Sequence, residues 1–500
     1  MIYDIFYQYQ QLWIVTALPQ LNCNQKNTIP RFPMYSLTEN GAVTLVSSGD
    51  PLMDFFFRLG ASRTRSEEDI LKDFQAAWEN PNNRLYTLRA LFYARDVRGG
   101  QGERRLFRIC LKWLAQNYPE VVKANLDLIP EYGRWDDAIE LIEFPYVDAT
   151  VAELIRKNIA LNDRLLFKWL PREKSSKKSL AATIRRFLRL TPKEYRKLLA
   201  NGTKVVETQM CASQWSNIEY NHVPSRAMSL YKLAYSKRDN ARFTSYVEGL
   251  ATGKSKVNAS VLYPYEVIKP FLPYGPSIID EDLTAQLAQA QWEALPNYIS
   301  GSNSMIAVCD VSGSMYGLPL EVSISLGMYL AERNTGPFAN KFITFTDQPT
   351  LITLKGSIRE KIQTCMAHVG YNTDLFKVFK TILAEAIAVQ AKPEDLPQTI
   401  LVISDMEFDL PSLGTKPVQK HIEDLYHTHG YEPPRMVYWN VAAHSSSNVP
   451  VGISDENVAL VSGFSPSIMK YILAASDFSP IGIAMKTLDS DRYADIKLPE

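Results

Sequence analysis

Apolar residues recur at three- and four-residue spacing from Asp50-Pro51 onward, in PLMDFFFRLGA, EEDILKDFQAAWE, RLYTLRALFYARDV and ERRLFRICLKWLAQNY, with short Pro, Asn or Gly breaks between them. Successive amphipathic helices on short connections predict antiparallel helix pairs stacked in a HEAT-like manner, although no fixed sequence period repeats. Ahead of them, residues 1–50 read as an irregular or partly β lead-in, with a turn at Asn40-Gly41. The helical pattern runs from 51 to about 270. A Pro/Tyr-rich boundary, 271–300, follows it and includes a helical stretch from Asp280 to Ala294. From 301 to 475 the period changes again. Apolar strands such as MIAVC, TILVI, RMVYWNVAA and NVALVSGF alternate with helices such as LEVSISLGMYLAERN and TDLFKVFKTILAEAIA. That alternation predicts an α/β doubly wound sheet whose ligands would sit at the carboxyl ends of its strands. The tail, 476–500, is expected to pack back on the body. The fold class is therefore multidomain, an α-helical N-terminal half joined to an α/β C-terminal domain.

Composition changes this picture little and charge changes it more. At 46% apolar residues, the 500-residue chain can fill two to four cores. The formal net charge is zero, yet residues from 301 onward carry 15 Lys+Arg against 22 Asp+Glu, so the front of the chain is basic and the back acidic. Residues 164–204 hold 13 Lys+Arg and only Glu173 and Glu194 in opposition. The run includes Lys168, Arg172, Lys177, Lys178, Arg185, Arg186 and Arg189 and is interleaved with Phe167, Trp169, Phe187 and Tyr195. Such a stretch can follow a phosphate backbone and stack bases, or dock on an acidic protein surface. Five scattered cysteines without a C-x-x-C pair point to a reducing compartment. Asp4 and the lack of a basic leader argue against a signal peptide in the apolar N-terminal stretch, and no run approaches a membrane span. A soluble, cytoplasmic protein without membrane contact is expected.

Three stretches could carry chemistry. Asp310, Ser312 and Ser314, spaced by two around Gly313 at the end of an apolar strand, offer one carboxylate and two hydroxyls to a small hard cation. The connector RDVRGGQGERR surrounds three glycines with Arg95, Arg98, Arg104 and Arg105. Its free backbone N–H groups and guanidinium groups could contact phosphate, or the arginines could pair with Asp96 and Glu103. In EYGRWDD, Asp136 and Asp137 fall in a helix's first turn and Trp135 reads as a packing anchor. His427 and His429 lack the second cluster a zinc site needs, and Glu407 and Asp409 could in principle serve as acid and base.

The x-D-x-S-x-S spacing resembles the metal-ion-dependent adhesion site of von Willebrand factor A domains. Two later loops complete that family's site, and the matching positions are Thr373 in GYNTDLFKVF and Asp405 after the strand TILVIS. The resemblance implies a metal site of Asp310, Ser312, Ser314, Thr373 and Asp405 holding Mg²⁺, or Mn²⁺, with an open position for a partner's acidic side chain. The blocks RALFYARDVRGGQGERRLF, EYGRWDD, CDVSGSM, NTDLFKVF and ISDMEFD are similar to signature stretches of an uncharacterised two-part family with this plan. Its architecture resembles the Ro ribonucleoprotein (TROVE) family, which implies RNA as ligand. The expected function is non-enzymatic, Ro-like RNA binding, with the metal site binding or positioning a partner. A metal-dependent protein-assembly module without RNA, and a metal-dependent nuclease, are the alternatives.

Overall fold

The computed structural model describes residues 35–272, 275, 281–299, 304–335, 338–345, 349–368, 374–388, 390–409, 417–443 and 448–499. The apolar N-terminal stretch and Thr373 lie outside them. The chain has the two-part plan that its periodicity predicts.

Helices Pro51–Leu59, Glu67–Glu79, Arg84–Arg95 and Arg104–Asn117 pack on one another and open the helical half. Their starts are set by local chemistry. The Asp50 side chain accepts from the Met53 N–H (2.9 Å) and Ser66 Oγ from the Asp69 N–H (3.0 Å), so each supplies an otherwise orphaned helix donor with an acceptor. Shorter helices follow, among them Trp135–Ile139, Arg164–Trp169, Lys178–Phe187, Pro192–Gly202 and Val206–Cys211. A second, smaller apolar cluster joins Tyr220, Tyr235, Phe243 and Val247 to Leu283 and Leu287. It ties helices Ser225–Arg238 and Asn240–Ala251 to Glu281–Glu293.

The C-terminal domain is a six-stranded sheet of β3 (Met305–Asp310), β4 (Lys341–Phe345), β5 (Thr350–Thr353), β6 (Thr399–Ser404), β7 (Arg435–Asn440) and β8 (Val458–Ser462). The order is β5-β4-β3-β6-β7-β8, parallel except for β5, and helices Leu318–Arg333 and Leu375–Ala388 follow the strands as crossovers. β3 is buried along its whole length, as a central strand covered on both faces must be. This is a doubly wound sheet of the von Willebrand A type. Two further strands, β1 (Tyr35–Leu37) and β2 (Val43–Leu45), form a hairpin around the Asn40-Gly41 turn, with Gly41 at φ +87°. The hairpin belongs to the sheet domain's surroundings, since Leu45 bridges Val449 and Gly41 bridges Asp409.

One continuous core runs through both halves. Helices Pro51–Leu59 and Pro480–Leu488 cover β8. The seam is closed by Arg492, which forks onto buried Asp96 (2.9 and 3.1 Å), while Tyr493 donates to the same carboxylate (3.2 Å). At Gly60 the helical half touches the sheet domain so closely that an added Cβ would stand 2.5 Å from the Gly463 Cα. Gly60→Ala is expected to cost about 1–3 kcal/mol, the usual penalty for overpacking. Thermal unfolding checks this, and an unchanged midpoint would contradict so tight an approach. Among the described residues no helix is long and apolar enough to cross a membrane.

Candidate metal centre and basic groove

Parallel pairing of β3 with β6, in which Cys309 stands beside Ile403, delivers the two aspartates to neighbouring strand ends. Asp310 is fully buried. Its Oδ1 accepts from the Ser312 N–H (3.0 Å) and its Oδ2 from Ser404 Oγ (2.6 Å). A short 3₁₀ turn, Gly313–Met315, brings the Ser312 and Ser314 hydroxyls within 3.1 Å of each other. Asp405 follows β6 directly, is also buried, and accepts from the Glu407 N–H (3.2 Å). Between them Met406 takes a left-handed conformation, φ +68°, which a side-chain-bearing residue adopts only where its surroundings enforce it. That strained turn separates Asp405 from Glu407, whose carboxylate goes to Glu39 and Asn448, and the sequence carries no sign of it.

Burial, reinforced by the nearby Asp405 carboxylate, pushes the Asp310 carboxyl up to about 7. Two buried carboxylates at neighbouring strand ends, with two hydroxyls alongside, form a donor set that a hard divalent cation fits. Asp310, Ser312, Ser314 and Asp405 are gathered at one sheet end. Asp374, the neighbour of Thr373, accepts from the Lys377 N–H (2.9 Å) at the start of its helix. Nothing comparable surrounds the histidines. His429 Nδ1 lies 2.9 Å from the Leu425 carbonyl, His427 lies 3.8 Å from Glu432, and among the described residues no group of three or more His, Cys, Asp or Glu gathers as a metal cage. Glu407 is buried against the β1–β2 hairpin: it accepts from the Glu39 N–H (2.7 Å) and from Asn448 Nδ2 (2.5 Å).

The Arg/Gly connector departs from its expectation as a phosphate cradle. The N–H groups of Gly100, Gln101, Gly102 and Glu103 all donate to carbonyls of Tyr93, Ala94 or Asp96, so the turn folds back on the helix before it and offers those donors to no anion. Gly102 stands at φ +65°, and a Cβ on Gly100 would collide with the Tyr93 carbonyl, which explains two of the glycines. The Gln101 side-chain oxygen accepts from the Ser465 N–H (3.2 Å) and Ser467 Oγ donates to the Gly99 carbonyl (3.0 Å), making the connector part of the seam between the halves. Arg95 is a correction to the candidate nucleic-acid set: it is 2% exposed and clasps Asp137 (2.7 Å), an acid that also receives Arg108 (2.6 Å). Arg98, Arg104 and Arg105 are exposed. Arg98 donates to the Glu131 carbonyl and Arg105 to that of Arg65 (2.7 Å). Trp135 is buried, with its indole N–H on Asp163 (2.9 Å), as a packing anchor should be.

The basic run divides in two. Lys177 pairs with Glu140 (2.6 Å), Arg185 with Glu173 (3.2 Å), and Arg172 donates to Thr203 Oγ1 (3.0 Å). Lys178, Arg186 and Arg189 are exposed on the outside of helix Lys178–Phe187 and the turn after it. Lys168, held by Glu207 at 2.8 Å, instead lines a groove of about 1180 Å³. The groove is walled by helices Arg164–Trp169 and Ser225–Arg238 and by the segments before them. Its cations are Arg98, Arg134, Arg164, Lys168, Lys204 and Arg226, with Glu207, Glu219 and Glu266 as the acids. Trp169 lies in its wall with the Arg134 guanidinium 4.3 Å from the ring centroid. Phe167 and Tyr195, two of the four interleaved aromatics, are buried in the core.

Comparison with known proteins places this arrangement. Residues 38–153 and 146–305 match the family described as "Domain of unknown function (DUF2828)", and residues 304–492 match "Domain of unknown function (DUF7788)". The "Uncharacterized protein L728" of Acanthamoeba polyphaga mimivirus is 29% identical over 510 residues, covering 91% of this chain and 87% of the relative. Among solved structures, that of the Deinococcus radiodurans Ro (RSR) protein covers 88% of this chain and 99% of its own, at 12% identity and a TM-score of 0.36. With its model spanning more than half of the residues, the DUF2828 family is the one to which this chain belongs.

Proposed function

We propose that the protein is a non-enzymatic RNA-binding protein that takes RNA into the groove of its helical half, while a divalent ion at the end of the parallel sheet positions a partner. The observation that carries this reading is the groove itself, which lines six cations beside a tryptophan on a wall of short helices. Cations in a concave wall neutralise successive phosphates and release counterions, and an aromatic face stacks any base, so affinity comes without sequence readout. Three cations of the basic run 164–204, Arg164, Lys168 and Lys204, line the groove, and they and the Ro-like plan of the chain support the same ligand. At the sheet end, Asp310, Ser312, Ser314 and Asp405, with Thr373 as the fifth expected ligand, would hold Mg²⁺ or Mn²⁺. The bound ion would supply an open position to a carboxylate of the partner. Hydroxyl ligands hold such an ion weakly, which suits reversible binding better than hydrolysis.

Labelled single-stranded and structured RNA, titrated at about 50 and about 200 mM salt with Mg²⁺ or chelator, tests the reading. Binding that weakens steeply with salt while the RNA stays intact is expected. Mg²⁺-dependent cleavage lost on Asp405→Ala would replace it with a nuclease, and no binding in any condition would overturn it. Trp169→Ala should weaken binding by about 1–3 kcal/mol, the usual worth of one base stacked on an aromatic side chain. An unchanged affinity would remove Trp169 as the stacking platform.

A further inference from the structure

Glu407 has no place in the adhesion-type ligand pattern, yet its carboxylate is engaged from two sides on the loop that carries Asp405. Its own N–H donates to Asp405 Oδ1 (3.2 Å), while its carboxylate takes the Glu39 N–H (2.7 Å) and Asn448 Nδ2 (2.5 Å). The hairpin grips the same loop at two more points. Asn40 Nδ2 donates to the Glu407 carbonyl (2.8 Å) and Thr38 Oγ1 to the Phe408 carbonyl (2.7 Å). Thr38 Oγ1 also receives the Ala42 N–H (2.9 Å), so the turn that holds the loop is itself held shut by the side chain that reaches across. Thr38 and Glu407 are buried, which removes water as a competitor for these bonds.

We infer that Glu407 is a positioning residue of the candidate metal centre and that the hairpin of residues 35–45 is its clamp, so that ion binding at the sheet end and the order of the hairpin are coupled. This rests on the metal reading above. The physical reason is the left-handed Met406 between the two acids: a turn at φ +68° relaxes unless both its flanks are held. Glu407 and the hairpin hold one flank, leaving Asp405 where β6 delivers it. Coupling of this kind is reciprocal, so an ion that fixes Asp405 must steady the hairpin by the same factor.

The test uses the full chain and Mn²⁺ alone. Calorimetric titration of the wild type comes first, and absence of binding would overturn the metal reading and this inference with it. Given binding, Thr38→Val and Glu407→Gln are expected to weaken Mn²⁺ affinity several-fold, whereas Glu120→Gln, paired with Lys123 on the surface of the helical half, leaves it unchanged. Wild-type affinity in both variants would overturn the inference while the metal reading stands. Hydrogen exchange supplies a readout that a merely structural role would not move. Mn²⁺ should slow exchange in peptides covering 38–45, and Asp310→Ala should abolish that slowing without loosening the hairpin in metal-free protein. Exchange in 38–45 indifferent to Mn²⁺ would equally overturn the coupling. Should Glu407→Gln fail to fold, Thr38→Val and the exchange experiment decide alone.

Discussion

Replacing Arg164, Lys168 and Lys204 together by glutamate is expected to lower the affinity for single-stranded RNA by more than about a hundredfold and to flatten its salt dependence. Each phosphate contact on a single strand contributes about 0.7 to the slope of log K against log salt, so three lost contacts at about 0.15 M amount to roughly fiftyfold. Three new carboxylates in the same wall, beside Glu207, Glu219 and Glu266, add repulsion to that loss. The control is charge reversal of Arg186 and Arg189, exposed on the outer side of helix Lys178–Phe187 and its following turn. Arg185 is a poorer control, because its tie to Glu173 gives its replacement a structural cost. Filter binding or fluorescence anisotropy at several salt concentrations reads both variants. A larger loss from the outer pair than from the groove triple would move the interface out of the groove.

Asp310→Ala is expected to abolish binding of Mg²⁺ and Mn²⁺, a loss beyond about a hundredfold, with the fold intact. Asp310 lies fully buried and is gripped through both oxygens, by Ser312 and Ser404. The carboxyl is already raised toward 7 by burial and by Asp405, so its removal relieves a buried charge as well as breaking two hydrogen bonds. An ion at about a hundred times its dissociation constant stabilises the wild type by about 2.7 kcal/mol. The variant should therefore unfold at the same temperature with or without ion. A metal-dependent rise in its midpoint would show that the ion sits elsewhere.

The two candidate sites differ in how far they can be read from the chain. Asp310, Ser312 and Ser314 announce themselves because an apolar strand and the loop after it are contiguous. Asp405 becomes legible because β6 repeats the same strand-then-acid pattern, and parallel pairing then brings the two ends together. The groove has no such local signature. Lys168 and Arg226 both line it from positions far apart in the sequence, and periodicity within one helix says nothing about which neighbour it faces. Arg134, Arg164, Lys204 and Arg226 enter the site for that reason, while Arg95 leaves it because the core claims its guanidinium for Asp137. The glycine-rich connector misleads on the same principle. Gly99, Gly100 and Gly102 do free the backbone, but whether the freed N–H groups face a ligand or the preceding helix is settled by packing against Ser465 and Ser467. The hairpin's Asn-Gly turn is visible in the sequence, whereas its grip on residues 407 and 408, some 370 positions on, is a tertiary fact.

The most direct measurement of the central claim is ultraviolet crosslinking of a labelled single-stranded RNA to the intact protein, followed by mapping of the modified peptides. The account predicts adducts on peptides carrying Trp169 and Tyr231, both lining the groove, lost in the Arg164/Lys168/Lys204 triple variant. Adducts confined to helix Lys178–Phe187 or to the sheet domain, or no adduct at all, would contradict it.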